Sequence, residues 1–138
     1  MHDFDAAVQK ANRWVKEMAT ELSTGDDHEA YRALRAGLHA LRDRLPIDEA
    51  VQLGAQLPLV LRGVYYDGWK PRQTPVRVRS EDEFLDLVER RATPGLVHDS
   101  TTVARATFRV LEQHLSPGES DAVRHVLPTQ IAALWPQA

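Results

Sequence analysis

The feature that most constrains the fold of this chain is a repeat of apolar and helix-boundary residues at a fixed offset. When Leu57-Pro58 is aligned with Leu127-Pro128, the two halves match without a gap at an offset of 70 residues. The identical pairs include His28 with His98, Arg35 with Arg105, Leu41 with Leu111, Leu45 with Leu115, and Glu49 with Glu119. Core and boundary positions coincide while surface charges mostly differ, so the pattern predicts a duplicated structural unit.

Apolar residues recur at intervals of three and four, which is the spacing of one face of an α-helix. Two such stripes follow each other in the first half: Phe4, Val8, Ala11, Val15, Met18 and Leu22, then Tyr31, Leu34, Leu38, Leu41 and Leu45. Pro46 and Pro58 mark the starts of two shorter helices. Gly54 lies inside one of these and predicts a close helix crossing. We therefore expect an all-α fold, with two tandem pseudo-symmetric helical repeats packed into one compact bundle.

The chain is expected to form a single domain over residues 1–138, because a three-helix unit of half this length would be marginal alone. Repeat one is predicted over about residues 3–66 and repeat two over about residues 80–136. The connector between them, about residues 67–79, contains two prolines and an Asp-Gly turn signal, which exclude a regular helix.

Several residues at the predicted helix ends suit capping. Asp3 is expected to cap the first helix, and Gly25 to end it in the left-handed conformation. Asp26 or Asp27 is expected to cap the second helix. Capping boxes, in which a serine and a glutamate satisfy each other's backbone N–H groups, are predicted for Ser80 with Glu83 and for Ser116 with Glu119.

Composition excludes several classes of protein. The chain has no cysteine, hence no disulfide and no thiol nucleophile, and its net charge of −3 gives no general attraction to nucleic acid. Its first residues carry acids where a signal peptide would carry bases, and no stretch is apolar enough to span a membrane. We expect a cytoplasmic location and no membrane insertion.

Three segments resemble a known family. They are YRALRAGLHALRDRL at residues 31–45, EAVQLGAQLPLVLRGVYYDGW at residues 49–69, and VRHVLPTQIAALWP at residues 123–136. They are similar to the bacterial and archaeal proteins grouped as domain of unknown function 2267, and the resemblance runs from about Trp14 onward. It implies a small, all-helical, duplicated domain. Because the family has no established activity, the resemblance implies no catalytic or binding residues.

Catalytic and metal-binding patterns are weak. His28 and His98 are equivalent in the repeat and could form a metal or anion site, but no HxxxH or HExxH spacing supplies further metal ligands, so loop or capping roles are favoured. His39, His114 and His125 are expected at the surface or at helix boundaries. The serines lie mainly at helix ends, where capping explains them. We expect no metal, no cofactor and no enzymatic activity.

The leading functional hypothesis is a non-enzymatic protein-interaction module. Its surface would combine residue types that are common at interfaces, namely Arg62, Tyr66, Trp69, Lys70 and Arg72. The partner would be another protein or a second copy of the chain. A basic stripe on the second predicted helix, Arg32, Arg35, His39 and Arg42, forms one face with the basic connector and also allows nucleic acid or an anionic surface as partner. A solvated face with internal ion pairs is the favoured interpretation of this stripe.

The alternative is a protein, an enzyme included, that binds a small molecule or anion in a cleft between the repeats. That cleft would be lined by Arg35, Arg105, His28 and His98. For the two arginines a structural role competes with this hypothesis. In that role they form ion pairs with the equally repeated acids, Glu49 and Glu119.

Overall fold

All regular secondary structure in the described residues is helical. The computed structural model describes residues 2–94 and 96–137. Its α-helices are α1 (Asp5–Leu22), α2 (Asp27–Arg44), α3 (Ile47–Gln56), α4 (Leu59–Tyr66), α5 (Glu81–Arg91), α6 (Ser100–His114), α7 (Pro117–Val126) and α8 (Thr129–Ala132), with a 3-10 turn at Pro71–Gln73. The prediction of an all-α fold is confirmed.

Four long helices form the body of the protein. Helix α2 packs against α1, α5 and α6, and α6 also packs against α1 and α5. The short helices cover this bundle, with α4 lying on α1 and α2, α8 on α5, and α3 on α7. At the 70-residue offset, α1 corresponds to α5 and α2 to α6. Both the α1–α6 contact and the α2–α5 contact are present.

Helix α2 approaches α6 closely at Gly37. A β-carbon on Gly37 would lie 2.1 Å from the hydroxyl oxygen of Thr107 and 2.8 Å from its β-carbon. Thr107 is fully buried, and its hydroxyl donates a hydrogen bond of 2.8 Å to the Val103 carbonyl. The missing side chain at position 37 therefore allows the two central helices to touch.

The close approach predicted at Gly54 is also present, but its partner is a side chain. A β-carbon on Gly54 would lie 2.2 Å from the Tyr66 hydroxyl, so the Tyr66 ring occupies the space that glycine leaves open. The neighbouring Tyr65 is fully buried and donates to the Ala50 carbonyl at 2.7 Å.

The predicted helix ends are confirmed at some positions and wrong at others. Asp26 caps α2 by accepting from two backbone N–H groups, and the capping box of Ser80 with Glu83 has both of its hydrogen bonds. Helix α1 begins after Phe4 rather than Asp3, because the Val8 N–H already bonds to the Phe4 carbonyl. It ends at Ser23, whose φ of 56° places it in the left-handed region that was predicted for Gly25.

Candidate anion-binding cleft

A polar cleft of about 360 Å³ lies between α2, α5 and the connector. We call it the connector cleft. Its walls carry five basic side chains, two acidic ones and one imidazole: Arg35, Arg42, Lys70, Arg90, Arg91, Asp43, Asp67 and His39. Gly68, Gln73, Thr74 and Val76 complete the lining.

Helix geometry and two anchoring hydrogen bonds assemble the cleft. Residues on α2 at three- and four-residue spacing share one face of that helix. The connector is held against the end of α2, because the Val76 N–H donates to the Asp43 carbonyl at 2.7 Å and the Arg44 Nε donates to the Val78 carbonyl at 2.6 Å. The packing of α5 on α2 brings the final α5 residues to the same place.

A buried ion pair between Arg42 and Asp43 forms the base of the cleft. The guanidinium donates to both Asp43 oxygens, at 2.7 and 3.0 Å, and also to the carbonyls of Tyr65 and Asp67, at 2.7 and 2.9 Å. The Arg91 Nε donates to the same carboxylate at 2.7 Å. Burial raises the pKa of Asp43, but the hydrogen bonds from Arg42 and Arg91 outweigh burial and leave it lowered. Asp43 is therefore ionised and firmly held.

His39 also belongs to this cleft, and the expectation that it lies at the surface or a helix boundary is wrong. It is only 4% exposed because α4 packs over its side of α2. Its Nε2 lies 2.7 Å from the Val64 carbonyl, which requires that Nε2 carry the proton and donate. Burial, and then the charges of Arg42 and Arg35, lower the pKa of His39 to about 4 against the opposing effect of the Val64 hydrogen bond. The imidazole is therefore neutral at neutral pH.

The rim of the cleft is more exposed. Arg35 donates to Asp67 at 3.0 Å, with side-chain exposures of 26% and 68% respectively. Lys70 and Arg90 are exposed at the same rim. Basic groups therefore outnumber acidic ones both at the base and at the mouth.

The five residues of the predicted interaction surface have different environments. Arg62 closes the end of α3, because its guanidinium donates to the carbonyls of Gly54 and Leu57 at 2.9 Å each. Tyr66 and Trp69 are half-buried, and their ring centroids are 5.4 Å apart. Lys70 and Arg72 are exposed on the connector, and of these two Lys70 lines the connector cleft.

The four residues of the alternative cleft are distributed over more than one site. Arg35 lines the connector cleft and, together with His28, a second hollow of about 330 Å³. The His98 Nε2 atom is buried, and it lies 3.7 Å from a carboxylate oxygen of Glu29. Arg105 is exposed on α6.

The expected ion pairs of these arginines with Glu49 and Glu119 are replaced by other contacts. Arg35 binds Asp67 instead. Glu49 and Glu119 are each 8% exposed, and their carboxyl groups face each other where α3 packs on α7. The Oε2 atom of each is buried without a hydrogen-bond partner among the described residues, so a protonated Glu119 can donate to Glu49. Burial, followed by the hydrogen bond to Glu49 and its charge, raises the pKa of Glu119 to about 8. The second capping box is accordingly half formed, since Ser116 accepts from the Glu119 N–H while the Glu119 carboxyl is used elsewhere.

The described residues contain neither a cluster of metal ligands nor a membrane-spanning helix. In that part of the chain, no three His, Asp or Glu side chains are placed to hold a metal ion. None of its helices has both the length and the apolar character that crossing a membrane requires.

The fold and the cleft define a small all-helical protein with a basic ligand-sized cleft. The family model described as "Uncharacterized conserved protein (DUF2267)" matches residues 11–134, and the chain belongs to this family. The resemblance seen in the sequence is thereby confirmed. No curated protein matches the chain.

Proposed function

We propose that the protein is a non-enzymatic binding module that holds an anionic ligand in the connector cleft. The observation that carries this proposal is the excess of five basic over two acidic side chains around one cleft, in a chain whose net charge is −3. Such a local excess attracts anions even when the whole molecule does not. Arginine adds geometric selectivity, since its planar donors match carboxylate and phosphate groups.

The lining supports binding better than catalysis. The His39 imidazole commits its Nε2 proton to Val64, and the Thr74 hydroxyl donates to the Pro71 carbonyl at 2.8 Å. General base catalysis would need an imidazole or carboxylate near its working pKa and within reach of a substrate proton. Asp43 is locked by two arginines, so it does not fill that role.

Anions should stabilise the wild-type protein against thermal unfolding. We expect phosphate or citrate, at constant ionic strength, to raise the melting temperature, because a ligand at about 100 times its Kd adds about 2.7 kcal/mol to the free energy of unfolding. The shift should disappear in Lys70→Ala/Arg90→Ala, which removes two exposed cleft cations. The measurement is differential scanning fluorimetry.

The matched control is Arg72→Ala/Arg77→Ala. These two exposed connector arginines line a different hollow, so the control makes the same change in net charge outside the cleft. It should keep the wild-type shift. Equal shifts of the melting temperature in the wild type and both double variants would indicate a general ion effect. They would show that the connector cleft is not the binding site.

Self-association is the second candidate, and a separate apolar surface favours it. On α4, Leu59 is 62% and Val60 38% exposed, and on α1 Val8 is 47% exposed. A groove of about 750 Å³ between α1 and the start of α4 includes Leu59 together with Lys10 and two arginines. Exposed apolar groups beside a polar rim are typical of protein interfaces.

Sedimentation velocity over a concentration series tests this second candidate. If a second copy binds here, the wild type should form a dimer that Leu59→Ser/Val60→Ser weakens by at least about tenfold, because two apolar anchors are lost. Ile47→Ser/Val51→Ser, at similarly exposed apolar positions on α3, should leave the dimer intact. Tyr66 and Trp69 are less useful probes, since both pack against the core. A wild type that stays monomeric at every concentration contradicts self-association.

A further inference from the structure

We infer that the ligand of the connector cleft is a small molecule carrying a phosphate monoester, and that Asp67 occupies the ligand's place on Arg35 until the phosphate displaces it. This inference rests on the proposed anion-binding function and specifies its ligand. The two acids of the cleft, Asp43 and Asp67, differ in how firmly they are held.

Asp43 is fixed, whereas Asp67 is held by one contact. The Asp43 side chain is 6% exposed and receives hydrogen bonds from both Arg42 and Arg91. The Asp67 side chain is 68% exposed, and its carboxylate bonds to Arg35 alone among the described contacts. A partly exposed ion pair of this kind contributes little to stability. A ligand oxyanion can therefore replace the Asp67 carboxylate on Arg35 at a small cost in free energy.

The Asp67 backbone is anchored independently of its side chain. Its N–H donates to the carbonyls of Gly63 and Val64, at 3.1 and 3.2 Å, and its carbonyl accepts from Arg42 at 2.9 Å. Rotation about the Asp67 side-chain bonds therefore releases Arg35 without moving the end of α4. The following residue, Gly68, has a φ of +74° and lines the cleft, which keeps the chain close to the ligand space without a side chain in it.

The charges that remain after this rotation favour a doubly charged group. The charge of Asp43 is offset by Arg42. Once the Asp67 carboxylate has turned away, no other acid of the lining is available to neutralise Arg35, Lys70 and Arg90. Arg91 bonds to Asp43 through Nε, so its terminal nitrogens can still donate to a ligand. A phosphate monoester carries nearly two negative charges at neutral pH, since its second pKa is about 6. A single carboxylate would satisfy only part of this excess.

The walls indicate a compact polar ligand. At about 360 Å³ the cleft is at the lower end of the range for small-molecule sites. Val76 is the one aliphatic side chain in its lining, so there is no apolar wall for a base, an aromatic ring or an acyl chain. A short phosphorylated polar compound fits this combination of size and polarity.

Methyl phosphate and methyl sulfate test the inference, because they share one shape and differ by one charge. By isothermal titration at pH 7.5, we expect wild type to bind methyl phosphate about tenfold more tightly than methyl sulfate. Asp67→Asn should bind methyl phosphate about three- to tenfold more tightly than wild type, because the internal competitor is gone. Asp67→Ala should behave in the same way. Asp27→Asn, which neutralises the acid of an exposed pair with Lys16 elsewhere, should match wild type.

Each contrary outcome removes a different part of the inference. If Asp67→Asn and Asp67→Ala bind methyl phosphate as wild type does, while Lys70→Ala/Arg90→Ala does not bind it, the displacement of Asp67 is wrong and anion binding stands. Equal affinities for the two probes contradict the preference for a dianion. Tighter binding of a phosphoserine peptide than of methyl phosphate contradicts a small molecule as the source. If the folded wild type and its variants bind none of these probes, the proposed anion-binding function is wrong as well.

Discussion

Replacing Arg42 with methionine is expected to destabilise the protein by about 3–5 kcal/mol, because the substitution breaks a buried ion pair and leaves one partner behind. Asp43 would remain 4% exposed and bonded only to Arg91. The carbonyls of Tyr65 and Asp67 would lose the same donor. Methionine keeps much of the arginine volume, so the loss reports charge and hydrogen bonding rather than a cavity. The measurement is the midpoint of urea unfolding at pH 7.

Two further variants separate the buried pair from arginine in general. Arg35→Met breaks only the exposed pair with Asp67 and should cost about 1 kcal/mol or less. Arg42→Met/Asp43→Leu removes both buried charges and should recover a substantial part of the loss, since paired replacement of a buried ion pair is often close to neutral. If Arg42→Met costs no more than Arg35→Met, Arg42 is not the anchor that its hydrogen bonds indicate.

The spacing of apolar residues predicted the helices correctly because burial of one face is what stabilises them. Local capping was predictable where one side chain supplies the hydrogen bond, as at Asp26 and Ser80. It failed for Asp3, since α1 begins after Phe4 without a side-chain cap, and for Gly25, since tertiary packing decides where the helix stops. Leu22 is the last buried residue of α1, and the chain turns directly after it, at Ser23.

The burial of His39 could not be predicted from the stripe of large apolar residues, because that stripe marks only one buried face of α2. Helix α2 contacts α1, α4, α5 and α6, so more than one face is covered. The sequence indicated this through the small residues of α2, all of which are buried: Ala30, Ala33, Ala36, Gly37 and Ala40. Small residues around a helix permit close packing on several sides, and a polar residue among them is then buried as well.

The cleft was only partly predictable from the sequence. Arg35 and Lys70 were placed together only in the less favoured hypothesis of a basic face, because nothing in their spacing shows that α2 and the connector meet in a cleft. Arg90 and Arg91 were missed, since they reach the cleft only through the packing of α5 on α2. A count of basic residues also cannot distinguish a free charge from one such as Arg62, which is bonded to the carbonyls at the end of α3.

Glu119→Gln is expected to stabilise the protein at alkaline pH and to flatten the pH dependence of its stability. The pKa of Glu119 is raised from 4.5 to about 8 in the folded state, so folding retains a proton that the unfolded chain releases. Its stabilising contribution is therefore complete below pH 4.5 and is lost as the pH rises to about 8. The groups facing it are Glu49 on α3 and Tyr65 on α4, whose own pKa is raised chiefly by burial and in small part by Glu119.

The informative range is pH 6.5 to 8, because His39 opposes Glu119 below it. The pKa of His39 falls from 6.5 to about 4 on folding, so its contribution is present above pH 6.5 and is lost as the pH falls toward 4. Above pH 6.5, the free energy of unfolding of the wild type should fall by up to about 1.4 kcal/mol per pH unit.

Urea unfolding across this pH range tests the carboxyl pair. Glu119→Gln should remove most of the fall in stability, since an amide can donate to Glu49 without carrying a charge. Glu89→Gln, at an exposed acid on α5, should retain the wild-type slope. If the wild type and Glu119→Gln keep parallel pH profiles, Glu119 does not retain its proton on folding. In that case the contact between α3 and α7 must be stabilised in another way.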